Sequence, residues 1–133
     1  MLLITKRLST FFPNSLEQVA ALKTIEILER DNILDKVKAK GELFGKRLQE
    51  IVRDVPYDVE VSGIPLMPFI TFKKDADNLY KKLRPGFYTE LIRRGVFLQP
   101  YHHGYVAYRH TDEDIIYAAD MVAESFAELK KYI

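Results

Sequence analysis

The hydrophobic period of this 133-residue chain switches twice, and that switch constrains the fold more than any other feature. Ile33, Val37, Phe44, Leu48 and Ile51 recur near the 3.6-residue helical period, with Gly41 on the same stripe. Lys36, Lys38, Lys40, Glu42, Lys46 and Arg47 fill the other face. The stripe predicts a helix from Asp31 or Asn32 to Arg53. Gly41 costs it about 1 kcal/mol relative to Ala unless close packing requires the missing side chain. Past the breaker Asp54–Pro56, the period falls to two. Tyr57, Val59 and Val61 alternate with Asp58, Glu60 and Ser62, as in a half-buried strand. Gly63 to Pro65 turns the chain, and Leu66 to Phe72 reads as a second strand. Pro68 has no N–H for a ladder, so this strand belongs at an edge or begins there.

The helical period then returns. Asp75 or Asp77 opens a third helix through Leu79, Leu83, Phe87 and Leu91, which Pro85–Gly86 should kink or break. Arg93 and Arg94 followed by Gly95 form a favourable helix end. Val96–Leu98 and Tyr105–Ala107 read as short strands around a polar loop. Thr111 caps a last helix, with Asp114 at the reciprocal third position and Ile115, Ala119, Val122, Phe126 and Leu129 facing inward. Toward the N-terminus, residues 5–14 read as extended or loop. A helix follows from about Leu16 to Glu29, capped by Ser15 with Gln18. Leu16, Val19, Ile25 and Ile27 make it apolar on more than one face, which marks a deep core or a subunit contact. The order of elements predicts an α+β fold, with a small mixed or antiparallel sheet covered on one face by helices.

Composition excludes several classes of function. The 20 Lys and Arg against 19 Asp and Glu leave a net charge of +1, so no strongly basic nucleic-acid surface is implied. With no Cys there is neither a disulfide framework nor a thiolate nucleophile. No apolar run approaches the roughly 18 residues of a membrane span, and the order of charges near Met1 is the reverse of a signal peptide. A cytoplasmic domain without membrane or nucleic-acid partners is the expectation.

Little in the chain spells out chemistry by itself. His102, His103 and His110 are the only histidines, and adjacent residues on an extended segment point apart, so no metal site is expected. His110, beside a helix N-terminus, reads as a neutral loop or cap partner. Asp112, Glu113 and Asp114 are the acids any helix start favours. Neither a glycine-rich dinucleotide loop nor a phosphate-binding P-loop pattern is present. Thr10 is a loop hydroxyl that could donate to a phosphate.

Three stretches carry a resemblance. Thr10-Phe-Phe-Pro-Asn14-Ser-Leu16-Glu-Gln-Val-Ala20-Ala21 resembles the pattern G-T-x-x-G-N-P-L-x-x-A-A, with Pro13 and Ser15 as departures. In Ser62-Gly63-Ile-Pro-Leu-Met67-Pro-Phe-Ile-Thr-Phe72 a glycine and a methionine lead into a strand. Phe87 to Val96, then Pro100, then His110-Thr111-Asp-Glu113-Asp114-Ile115 resembles a helix, a G-V-x-x-x-P strand and an A-H-T-x-E-D-I helix start. Together they resemble the C-terminal part of a class III, fold type I pyridoxal-phosphate aminotransferase, most of all the glutamate-1-semialdehyde 2,1-aminomutase branch. The likeness runs from about Ser9 to Lys130.

That resemblance implies a division into residues 1–31, an arm and interface helix linked to a missing large domain, and residues 32–133, the small domain. It implies that Thr10 reaches across a dimer to the phosphate of the neighbouring subunit's cofactor, and that helix 16–29 mediates a homodimer or other self-association. Arg109, His102 and His103 become substrate-side candidates, and Ala107 stands where a serine is frequent. The resemblance also implies that pyridoxal phosphate serves the parent enzyme, while the large domain holds the Schiff-base lysine and most phosphate ligands. Lys6 stands only four residues before Thr10, too near to match that lysine. The chain alone is therefore expected to bind no cofactor, to hold no catalytic residue and to be inactive. A free-standing, non-enzymatic oligomerisation or interaction module on the same scaffold is the alternative.

Overall fold

A computed structural model describes residues 15–133. Thr10 and the 5–14 segment lie outside the described residues. The chain divides into two compact units, Met1–Leu34 and Asp35–Ile133.

In the first unit, helix α1 spans Ser15–Arg30. It buries none of its residues, and Leu16, Val19 and Leu22 are 78%, 62% and 69% exposed. Its end is closed locally: the Asn32 N–H donates to the Glu29 carbonyl, and Asn32 takes a φ of 48°, a left-handed turn that Asn tolerates.

The second unit carries the core. Helix α2 spans Ile33–Asp54, and strands β1 (Val59–Ile64) and β2 (Met67–Phe72) form a two-stranded antiparallel sheet. Its register runs from Val59 opposite Phe72 to Ile64 opposite Met67. Pro68, Ile70 and Phe72 are buried while Met67, Phe69 and Thr71 are only half-buried, the alternation expected of one covered face. Helix α3 (Tyr80–Arg93), helix α4 (Asp112–Ala127) and a short 3-10 helix (Glu128–Tyr132) complete the unit. No helix among the described residues is long and apolar enough to cross a membrane.

The core joins Phe44 and Leu48 of α2 to Ile70 and Phe72, to Leu83, Phe87 and Leu91, and to Ile115, Val122, Phe126 and Leu129. At its centre the Phe87 and Phe126 rings stack at 4.5 Å, with Phe72 at 5.5 and 5.9 Å from them. Burying each such side chain contributes about 1.5–3 kcal/mol. Gly41 shows why the helical stripe carries a glycine. A Cβ there would stand 2.8 Å from the backbone of Pro65, so the turn between the strands rests directly on α2.

Three expectations need correction. The first concerns the third helix, which begins at Tyr80 and not at Asp75 or Asp77. Asn78 takes a left-handed φ of 58°, which delays the helix, and the Asp75 carboxylate reaches forward to accept from the Leu79 and Tyr80 N–H groups at 2.7 and 2.8 Å. Second, of the kink and the break that Pro85–Gly86 allowed, the break does not occur: α3 runs on through Pro85. The hydrogen bond lost there would have gone to Lys81, on an exposed turn, and the buried Leu83, Phe87, Tyr88 and Leu91 hold the helix together.

Third, neither Val96–Leu98 nor Tyr105–Ala107 forms a strand. The Gly104 and Val106 N–H groups do donate to the Pro68 and Leu66 carbonyls, at 2.8 and 3.0 Å, so this segment lies against the free edge of the hairpin. A residue's N–H and C=O point to the same edge of a strand, and Pro68 has no N–H to return the bond. The proline that marks β2 as an edge is also what stops a third strand from pairing.

Candidate functional site

The chemistry-bearing side chains gather on two loops and the helix ends beside them. The α3 end is built by its sequence: Gly95 takes a φ of 80°, its N–H donates to the Ile92 carbonyl, and the Val96 N–H donates to Leu91. This pair of bonds is the Schellman closure, which needs a residue free to adopt the left-handed conformation. The α4 start is built as its spacing predicts. The Asp114 N–H donates to the Thr111 Oγ1 at 3.1 Å, and the Thr111 N–H donates to the Asp114 carboxylate at 2.8 Å. Those bonds hold the Asp114 carboxyl below the usual range.

The loop between these ends is fastened from α2. The Lys40 ammonium donates to the Tyr108 carbonyl at 3.0 Å and to the His110 carbonyl, and it lies 5.5 Å from the Tyr108 ring centre. The Ala107 N–H donates to His110 Nδ1 at 3.1 Å, so His110 serves the loop's own turn. Lys36 approaches the same ring at 6.0 Å. Lys36, Lys40, Tyr108, Arg109, His110 and Thr111 line an open concavity of about 470 Å³. A second groove, of about 420 Å³, has Phe44, Ile115 and the exposed rings of Phe97, Tyr105 and Tyr117 among its lining residues.

The substrate-side candidates do not converge. Arg109 is exposed and lines the basic concavity. His102 and His103 are exposed on the preceding loop, where His102 Nδ1 lies 3.0 Å from the His103 carbonyl and the His103 ring meets Phe69 edge-on at 5.3 Å. Among the described residues no group of three or more His, Cys, Asp or Glu is arranged to hold a metal ion.

One cluster escaped the sequence reading. Glu90 on α3 is only 3% exposed and is held by four partners. Arg94 and Arg93 approach its carboxylate oxygens at 2.8 Å, the Tyr132 hydroxyl donates at 2.8 Å, and Lys131 stands at 3.1 Å. The Arg94 and Tyr132 hydrogen bonds outweigh desolvation and hold the carboxyl down at about 2. The Arg93 and Arg94 partnerships follow from helical spacing, but nothing local announces Lys131 and Tyr132, some forty positions later. The cluster ties α3 to the 3-10 helix. Nearby, burial pushes the Tyr88 hydroxyl up to about 12, and it donates to the Ile70 carbonyl at 3.3 Å.

No family model matches the chain. Among curated proteins it is 59% identical over 125 residues to the 3-aminobutyryl-CoA aminotransferase of Cloacimonas acidaminovorans (strain Evry), a match covering 94% of this chain and 30% of that relative. It is 27% identical over 124 residues to the glutamate-1-semialdehyde 2,1-aminomutase of Archaeoglobus fulgidus, covering 87% of this chain and 30% of the relative. Of solved structures, the adenosylmethionine-8-amino-7-oxononanoate aminotransferase of Methanocaldococcus jannaschii superposes with a TM-score of 0.73 at 26% identity, over 93% of this chain and 30% of that one. An omega-transaminase from Sphaerobacter thermophilus shares the fold with a TM-score of 0.77 at 17% identity, over 95% of this chain and 31% of that one.

The chain's curated relatives and structural neighbours are class III pyridoxal-phosphate aminotransferases, which it resembles over nearly its whole length. It spans about 30% of the length of the relatives it matches. The α+β architecture expected from the sequence is the one these neighbours share.

Pyridoxal phosphate requires an enclosed lysine amine and a cradle for its phosphate. Among the described residues every lysine is exposed except the half-buried Lys40, whose ammonium is already committed to two loop carbonyls. The described residues do not fit the cofactor by themselves.

Proposed function

We propose that this chain is the small-domain end of an aminotransferase whose substrate is a 3-amino acyl thioester of coenzyme A. The carrying observation is the 59% identity to the 3-aminobutyryl-CoA aminotransferase across 94% of the chain. The aminomutase relatives, at 23–30% identity, share the scaffold and support that substrate less. In this reading residues 32–133 shape the substrate side of a cleft, with Arg109, His102 and His103 facing it. Residues 1–31 form the arm and interface helix. The exposed apolar side chains of α1 supply a homodimer contact, and Thr10 reaches the phosphate of the neighbouring subunit's cofactor. The large domain provides the lysine and the electron sink, and the assembled enzyme works in the cytoplasm.

The test joins this chain to the upstream two-thirds of the Cloacimonas relative and assays amino transfer from 3-aminobutyryl-CoA. Transfer by the chimera, and none by the 133-residue chain alone, is the expected result. A folded chimera that loads pyridoxal phosphate but leaves the thioester untouched would overturn the substrate assignment. A second reading, a free-standing self-association module, draws on the exposed α1 side chains. It predicts concentration-dependent oligomers of the chain in sedimentation and no amino transfer by the chimera.

A further inference from the structure

The cations of the 470 Å³ concavity are unusual for a chain so nearly balanced in charge. No carboxylate is among its six lining residues. Lys36 and Arg109 form no ion pair among the described residues. Lys40 spends its hydrogen bonds on the Tyr108 and His110 carbonyls while leaving its charge beside the concavity. Two of the three acids at the neighbouring α4 start, Glu113 and Asp114, are engaged at their own helix end. Asp114 accepts from the Thr111 N–H, and Glu113 is held below the usual range by its own backbone N–H and the Thr111 hydroxyl. An open, partly aromatic surface with two cations outside any ion pair and a fixed third suits a multiply phosphorylated ligand, since Arg and Lys are the side chains that bind phosphate oxygens.

We propose that this concavity holds the phosphate-bearing nucleotide end of coenzyme A, with Lys36 and Arg109 as the phosphate-binding side chains. The inference rests on the thioester reading above. Lys40 acts as a positioning residue: it pins the loop that presents Arg109. This arrangement separates two tasks, because the nucleotide end anchors the substrate at the surface while the amino end reaches the reacting centre supplied by the rest of the enzyme.

Calorimetric titration of the 133-residue chain with coenzyme A, at low and at physiological salt, tests this directly. Saturable binding that weakens with salt is expected, together with a loss of about tenfold for Lys36→Ala and for Arg109→Ala. Both side chains are exposed, so neither substitution should unfold the protein; circular dichroism checks this. Dephospho-coenzyme A should bind more weakly than coenzyme A. Titration with inorganic phosphate separates a coenzyme site from a general anion site. No saturable binding of coenzyme A, equal binding by the variants, or inorganic phosphate binding as tightly as the coenzyme would each overturn the proposal. In the chimera, Lys36→Ala with Arg109→Ala should raise KM for the thioester without lowering kcat. A chimera that turns over the thioester with an unaltered KM overturns this inference and leaves the substrate reading standing. A folded chimera that loads pyridoxal phosphate yet is inactive on the thioester overturns the substrate reading, and the titration then decides the coenzyme site by itself.

Discussion

Helices α1 and α4 are each 16 residues long and both are rich in apolar side chains, yet they end in opposite circumstances. Helix α4 buries Ile115, Ala119, Val122, Ser125 and Phe126, and α1 buries nothing. Helix α4 spends its apolar residues on one stripe and begins with a complete capping box. Helix α1 spreads Leu16, Val19, Leu22 and Ile25 over an exposed surface. An isolated helix of this length is marginal in water, so most of its stability must come from packing. Apolar content alone therefore does not identify a core helix: α4 carries its own partners within the second unit, whereas α1 leaves its apolar side chains exposed.

The sharpest test of this contrast lies in the core. Phe87→Ala removes the ring at the centre of the aromatic cluster and should cost about 3–5 kcal/mol in chemical denaturation. Gly41→Leu forces a side chain into the backbone of Pro65 and should cost about 1–3 kcal/mol, or displace the hairpin. Thr111→Ala removes one half of the capping box and should cost about 1 kcal/mol. Leu22→Lys on α1 should change the stability of the second unit by no more than about 0.5 kcal/mol, yet weaken the self-association proposed for α1, as sedimentation would read it. A large stability loss from Leu22→Lys would break the contrast between the two helices.

Acid adds a separate handle. The Glu90 carboxyl is lowered from an ordinary value near 4.5 to about 2. A group lowered on folding stabilises above its unfolded value and loses that contribution as pH falls through its folded one. Thermal melts should therefore show stability falling as pH drops from about 4.5 toward 2, and Glu90→Gln should flatten the part of that slope owed to this group. An unchanged slope in the variant would remove Glu90 from the account of acid stability.

Local chemistry made much of this molecule legible. The Thr111–Asp114 reciprocity, the Gly95 closure and the alternation in β2 all rest on short spacings that the chain displays directly. The readings that failed depend on what lies across the fold. Helix α3 is not broken at Pro85 because its buried face is held in the core, and Tyr105–Ala107 stays unpaired because its neighbour at the hairpin edge is Pro68. The basic concavity was half visible. Arg109 stood out, but Lys36 and Lys40 read as the solvated face of α2 until the fold brought Tyr108 against them.

The Gly41 contact has a consequence for the neighbouring face of α2. A bare backbone seated on the Pro65 turn works like a key in a keyway: the helix can neither slide nor roll without a main-chain collision. Lys40 is the next residue along, so the same seating indexes the ammonium that fastens the Tyr108–His110 loop. A bulkier residue at position 41 would thus be felt as a misaligned loop at the Tyr108–His110 turn.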